Sequence, residues 1–134
     1  MRKIIIASCA FFYKEALEIK EELEKNNYEV VDYPKKINDS IEIEYKEAYE
    51  RFYDSLSRTD DLLLLNLDKK GIEGYIGYES FAELSYLVVK KIQINNEHKI
   101  FIYKMPSKEV GCYDEIMHFL ELGYIELYRK KELK

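Results

Sequence analysis

Residues 61–67, which read DLLLLNL, constrain the fold more than any other part of the sequence. Four successive leucines leave neither face of a strand polar, so the segment is predicted to be a central strand buried on both faces. Strands of this kind occur in parallel sheets, whose neighbouring strands are joined through helices. The rest of the chain should therefore alternate strands with helices.

Other segments supply that alternation. KIIIAS (residues 3–8), EVVD (29–32) and KIFIY (99–103) have strand length and apolar or β-branched residues, and a fifth strand is expected within 124–128. Between them, apolar residues recur at helical spacing, and a short helix over 113–122 ends at a glycine. The three longer apolar faces consist of Phe12, Ala16, Ile19 and Leu23; of Ile41, Tyr45, Ala48 or Tyr49, Phe52 and Leu56; and of Phe81, Leu84, Val88 and Ile92.

The resulting βαβαβαβαβ order predicts a single α/β domain over residues 1–134. We expect a flavodoxin-like or Rossmann-like three-layer sandwich, with a five-stranded parallel sheet in the order 2-1-3-4-5 and helices on both faces. In such sheets ligands bind beyond the carboxyl ends of the strands, near strands 1 and 3. The candidate site should therefore draw on residues 8–12 and 66–80.

Charge and cysteine content narrow the partners. The net charge is −5 and the basic residues are scattered, so a nucleic-acid partner is not expected. No apolar run is long enough to cross a membrane, and the short N-terminal run passes straight into a charged helix pattern. Cys9 and Cys112 form no CxxC motif and are predicted to be free thiols in a reducing compartment. The sequence therefore predicts a cytoplasmic protein without a membrane partner.

Several uses of this architecture are excluded by their missing motifs. The chain has neither GxGxxG after its first strand nor GxxxxGK[ST]. A phosphatase loop beginning at Cys9 would need arginine at the position of Glu15. His98 and His118 have no partners at metal-ligand spacing, so neither a metal nor a cofactor is predicted.

Three carboxylates near the expected site remain. Asp68 follows the third strand, Glu79 lies in the next loop, and Glu83 is at the start of the third helix. Two carboxylates in one cleft can break a glycosidic bond, one as nucleophile and the other moving the proton of the leaving group. Structural explanations stay open: SFAE (residues 80–83) matches a capping box, Asp68 suits a turn, and Glu79 suits a helix N-terminus.

The segment DDLLLLNLDKKGIEGYIGYESFAELSYLVVKKI, followed by KIFIY, resembles the nucleoside 2-deoxyribosyltransferase-like family, with its Asn-x-Asp strand end, glycine-rich loop and Thr-x-x-Glu helix start. ASCAFFYKEALEIKEELEKNNYEVVDYP is similar to the family's first strand, helix and second strand. The resemblance implies that Glu83 is the nucleophile that captures the sugar C1′, that Asp68 assists protonation of the base, and that Ser80 replaces the threonine. It also implies a homodimer or higher homo-oligomer.

The chain departs from the family's pattern within the site. Gly77 stands where a second aspartate is usual, Tyr78 and Glu79 replace smaller residues, and Ser8-Cys9 replaces Gly-Ser or Gly-Pro. We therefore identify a divergent member, predicted to act on the N-glycosyl bond of a nucleoside or nucleotide by transfer or hydrolysis. The alternatives are a catalytically inactive nucleotide-binding module and an interaction protein in which Glu83 is only a cap. The predicted substrate-binding residues are Ser8, Cys9, Phe12, Tyr13, Asn66, Gly77, Tyr78, Glu79 and Ser80.

Overall fold

The structure, a computed structural model, describes residues 1–36 and 41–129, with only the backbone for 41–44. Its five strands form one all-parallel sheet in the order β2-β1-β3-β4-β5, as the sequence predicted. The strands are β1 (Arg2–Ala7), β2 (Tyr28–Asp32), β3 (Asp61–Leu64), β4 (Lys99–Ile102) and β5 (Glu126–Leu127). The helices are α1 (Tyr13–Lys25), α2 (Ile41–Leu56), α3 (Tyr78–Gln93) and α4 (Tyr113–Glu121), with a 3₁₀ turn at Ala10–Phe12.

Successive residues of the central strands face opposite sides of the sheet and so enter two cores. Ile4 and Leu63 pack with α1 through Ala16, Ile19 and Leu23. Ile5, Leu62 and Leu64 pack on the other face with residues of α2, α3 and α4. β3 pairs with β1 on one side and β4 on the other, which accounts for the unbroken leucine run: every position of this strand is covered.

An ion pair between half-exposed Arg2 and the buried Asp61 fixes the amino ends of three strands. The carboxylate of Asp61, which is 0% exposed, accepts hydrogen bonds from Arg2 Nε at 2.8 Å and Arg2 Nη2 at 2.5 Å. The same carboxylate accepts the backbone N–H of Lys99 at 2.9 Å. One side chain at the start of β3 thereby joins β1, β3 and β4, at the edge of the sheet opposite the carboxyl ends.

The predicted capping box at the start of the third helix is wrong. The sequence predicts that this helix starts at about Ser80, whereas it begins at Tyr78 with Gly77 as its N-cap, and no side-chain cap forms. Ser80 and Glu83 therefore lie inside the helix, where they cannot form the reciprocal cap bonds of the S-x-x-E motif.

Three expected core positions also differ. Ile92 is 55% exposed, and Leu87 is buried on α3 in its place. Tyr45 and Tyr49 of α2 are 44% and 42% exposed, because this part of the helix faces a cleft instead of the core. The prediction for Ile41 falls on a side chain outside the described residues.

Cys9 and Cys112 are free thiols, as predicted. Among the described residues, no helix combines the length and the apolar character needed to cross a membrane.

Candidate functional site

A cleft of about 310 Å³ opens beside the carboxyl ends of β1 and β2. Ser8 and Ala10 reach it from the turn after β1, and residues 33–36 from the loop after β2. One long side is formed by α2, and α3 contributes two carboxyl side chains, Glu79 and Glu83. Several separate elements thus converge where open α/β sheets bind ligands.

Glu83 is the most unusual group in the cleft. Its side chain lies on the buried face of α3 with Leu84 and Leu87, a position at which amphipathic helices carry apolar residues. Only 8% of Glu83 is exposed, yet within the described part of the chain no hydrogen-bond donor or cation contacts its carboxyl group. Burying an unpaired carboxyl group destabilises a fold, so neither packing nor capping explains this residue.

The surroundings of Glu83 favour its neutral form. Burial, together with the smaller effect of the negative charges of Glu79 and Asp32, raises the pKa of Glu83 from 4.5 to about 8. In the ligand-free protein the group is therefore mostly a neutral acid at pH 7, and a nearby positive charge would convert it into a carboxylate.

Glu79 is the second carboxylate that faces the cleft from α3. It precedes Glu83 by one helical turn, and its Oε2 accepts a hydrogen bond from the hydroxyl of Tyr45. This bond connects the starts of α2 and α3, and it raises the pKa of Tyr45 to about 12. The two carboxyl groups on α3 thus have contrasting environments: one is exposed and hydrogen-bonded, and the other is buried without a donor.

Tyrosine rings form a row along α2. The rings of Tyr45 and Tyr49 stack with their centroids 5.7 Å apart and their planes at 24°. The row continues through Tyr53 to Tyr86 of α3. Tyr45 and Tyr49 line the cleft together with Tyr33 and Phe52. Aromatic faces at this density give a flat ligand a surface to stack on.

A buried carboxylate organises the basic side of the cleft. Asp32, which ends β2 and is 3% exposed, accepts hydrogen bonds from Lys35 Nζ at 2.6 Å and Arg51 Nε at 3.4 Å. Lys35 and Arg51 both line the cleft, as does Lys36. The two cations paired with Asp32 are therefore held on the side formed by α2 and the loop after β2.

Asp68, the predicted partner of Glu83, does not line this cleft. Its Oδ1 accepts the backbone N–H of Gly74 at 2.9 Å and Lys104 Nζ at 2.8 Å, and its side chain is 51% exposed. The hydrogen bond from Lys104 is the main cause that lowers the pKa of Asp68. In this structure Asp68 closes the loop after β3, and its catalytic role stays a prediction.

Three predicted residues follow β1. Ser8 lines the cleft, and its hydroxyl donates to the carbonyl of Leu65 at 2.8 Å. Cys9 is half-buried, with its Sγ 3.2 Å from Lys69 Nζ, and Phe12 is buried at 4% exposure. Of these three, only Ser8 is brought to the cleft.

The remaining predicted substrate-binding residues, apart from Glu79, either connect loops or lie outside the cleft lining. Asn66 uses its whole side-chain amide, donating to the carbonyls of Gly74 and Lys104 and accepting from the backbone N–H groups of Tyr103 and Lys104. This amide ties the loop after β3 to the loop after β4. Outside the cleft lining lie half-buried Tyr13, the N-cap Gly77, Tyr78, which is 87% exposed, and buried Ser80.

Sequence reasoning missed most of the α2 side of the cleft. Tyr45, and Tyr49 as an alternative to Ala48, were assigned to a core face because they recur at helical spacing. The residue type could have indicated the error, because a helix face that packs on a core usually carries aliphatic residues at such positions. Asp32 and Arg51 gave no signal, because a pair 19 residues apart is visible only in the folded chain.

Among the described residues, no group of three or more His, Cys, Asp or Glu side chains could hold a metal ion. Neither the comparison with protein-family models nor the comparison with curated proteins gave a match for this chain. The five-stranded sheet in the order 2-1-3-4-5 establishes a flavodoxin-like or Rossmann-like α/β fold.

Proposed function

We propose that the protein cleaves the N-glycosyl bond of a nucleoside or nucleotide in the cleft between α2 and α3. One observation carries the proposal. Glu83 lines an open cleft that is rich in tyrosine, it is only 8% exposed, and no described residue donates a hydrogen bond to its carboxyl group. A group that destabilises the fold is explained when it is needed for chemistry.

In the proposed reaction Glu83 is the nucleophile. Its ionised carboxylate attacks the sugar C1′, the bond from C1′ to the base nitrogen breaks, and a glycosyl ester forms. Water or a second base then takes the sugar and releases the carboxylate. Tyr45 and Tyr49 offer stacked faces for the base, and the buried setting of Glu83 strengthens its attraction to the positive charge that develops at C1′.

The resemblance to nucleoside 2-deoxyribosyltransferase-like proteins supports the same reaction and the same nucleophile. Glu79, four residues before Glu83, is a further carboxylate that lines the same cleft. Whether the acceptor is water or a second base depends on contacts in a filled site, so both outcomes belong to the proposal. A homodimer or higher oligomer and a cytoplasmic location are parts of it as well.

The test is a chromatographic assay for free base. Wild type and Glu83→Gln are incubated with deoxyribonucleosides, ribonucleosides and their monophosphates, with and without a second base. We expect wild type to release or exchange base and Glu83→Gln to be at least about 100-fold slower while remaining folded. Glu115→Gln, an exposed change on α4, is the matched control and should keep full activity.

Absence of base release by wild type across the panel would contradict the proposal. Retention of activity in a folded Glu83→Gln protein would remove the nucleophile from it. Tight nucleotide binding without turnover would favour the alternative, a nucleotide-binding module that does no chemistry.

A further inference from the structure

The proton donor that the sequence predicted for an ordinary nucleoside lies outside the cleft. A neutral base leaves as an anion unless it receives a proton, and the predicted donor was Asp68. That side chain lies outside the cleft and pairs with Lys104, which keeps it ionised. A base that already carries a positive charge departs as a neutral molecule and needs no such donor.

The charges around Glu83 match a cationic ligand. Glu79 faces the cleft one helical turn away, and Asp32 is buried at the end of β2. Both negative charges act on Glu83, whereas in the described part of the chain Lys35 and Arg51 are paired with Asp32. Among the described residues, Glu47 and Lys36 are the other charged groups in the cleft lining. A positive ligand would therefore supply the countercharge that the protein withholds from Glu83.

The aromatic surface supports the same ligand class. Tyrosine faces attract cations through the ring quadrupole, most strongly when the cation is desolvated. Tyr45 and Tyr49 stack beside the two carboxyl groups of α3, and the hydroxyl of Tyr45 bonds to Glu79. Stacking and charge attraction would thus act on one ring at one place in the cleft.

We propose that the substrate is a nucleoside or nucleotide whose base is a cation, such as a pyridinium or an N-alkylated purine, recognised by Glu79, Glu83 and the rings of Tyr45 and Tyr49. This inference rests on the proposed function and specifies its substrate class.

The bonding changes balance without a proton donor. Binding of the cation favours ionisation of Glu83, and its proton leaves to solvent. A carboxylate oxygen bonds to C1′ as the bond from C1′ to the ring nitrogen breaks, and that electron pair neutralises the ring. Water then attacks C1′, the ester bond breaks to return the carboxylate, and the proton of the water passes to solvent. As the products leave, Glu83 takes up a proton again, so the net products are a neutral base, the free sugar and one proton.

Binding is tested first with bases that carry no sugar and cannot be turned over. Calorimetry at about pH 7 compares 1-methylnicotinamide, a cation, with neutral nicotinamide, in two buffers of different protonation enthalpy. We expect the cation to bind at least about tenfold more tightly and to release close to one proton per site. Glu79→Gln should reduce the preference, and the exposed control Glu115→Gln should keep it. Equal affinities, or a preference for the neutral base, would overturn the inference.

Turnover is tested with nicotinamide riboside and its neutral dihydro form, which have the same sugar and nearly the same shape. We expect kcat/KM for the cation to be at least about 100-fold higher. Equal cleavage of the two forms, or faster cleavage of neutral nucleosides, would overturn the substrate inference and leave the proposed function standing. Cation binding without cleavage of any nucleoside would overturn the proposed function and the reaction that depends on it.

Discussion

Glu83 lies one helical turn after Glu79 on α3, and both side chains line the same cleft, but only Glu83 is buried. Residues four apart are neighbours on a helix surface, so the charge of one carboxyl group is felt by the other. Glu79 accordingly raises the pKa of Glu83, to which burial contributes most. This relationship makes the chemistry of the site sensitive to pH.

Activity should rise with pH until Glu83 is ionised. A nucleophilic carboxyl group must be deprotonated, and the pKa of Glu83 is about 8 in the free protein, so kcat/KM should increase from about pH 6 and level off above about pH 9. The check is a profile of base release against pH with a saturable substrate. Glu79→Gln should move the midpoint to lower pH, because a negative neighbour is removed. A profile that falls over the same range would show that Glu83 works as a proton donor instead.

Stability should respond to pH in the opposite direction. The folded protein holds the Glu83 proton up to a pKa of about 8, whereas the unfolded chain releases it near 4.5. The free energy of unfolding therefore falls as the pH rises between these values. At about 1.4 kcal/mol per pKa unit, the total loss is about 4–5 kcal/mol.

Glu83→Gln should abolish this loss. Urea unfolding at about pH 5 and about pH 9 should show that wild type loses several kcal/mol more than the variant between the two conditions. The exposed change Glu115→Gln on α4 controls for the removal of a carboxylate and should follow wild type. If the free energies of unfolding of wild type and Glu83→Gln changed equally with pH, Glu83 would not be a buried acid with a raised pKa.

The ion pair between half-exposed Arg2 and buried Asp61 should stabilise the amino edge of the sheet. Asp61→Ala removes the partner of Arg2 and the acceptor of the Lys99 N–H, so we expect a loss of about 3 kcal/mol. Among the described residues, the carboxylate of the neighbouring Asp60 accepts one hydrogen bond, from the exposed N–H of Lys3 at 2.8 Å, and Asp60→Ala should cost less than about 1 kcal/mol. Chemical denaturation of both variants measures the difference. Similar losses of stability would argue against the role of Asp61 in joining the three strands.

Two glycines of the loop after β3 should differ in their tolerance of a side chain. Gly71 and Gly74 both have positive φ, at +78° and +63°, so alanine is strained at either position. A Cβ on Gly74 would also lie 2.7 Å from the carbonyl oxygen of Met105, whereas one on Gly71 meets nothing within 4 Å. We expect Gly74→Ala to destabilise the protein by about 1–3 kcal/mol more than Gly71→Ala. Equal melting temperatures would contradict this close packing.

The fold could be derived from the sequence because its signals are local. The leucine run identifies β3 as a buried central strand, and the alternation of apolar runs with helical spacing leaves few topologies once crossovers are right-handed. The start of α3 was misplaced for a local reason too: SFAE (residues 80–83) has the residues of a capping box, but Gly77 is the N-cap and the helix already begins at Tyr78.

The candidate site could be derived only in part. Glu83 was found from its position at a helix start, and the structure places it in a cleft. The surroundings of Asp68 depend on Lys104, 36 residues away, and no local pattern indicates that pair. Tyr45 and Leu56 share a predicted apolar face, yet one lines the cleft and the other enters the core, because a helix can extend past the sheet it covers.

The position of Glu83 on the buried face of α3 also bears on how the chain can change over time. Leucine or methionine there would match the buried face of the helix and stabilise the fold, so selection for stability alone favours an apolar residue. A carboxyl group that persists at this position among descendants of the same ancestor would therefore record selection for chemistry. Its replacement by leucine would mark lineages that have kept the fold and given up the reaction.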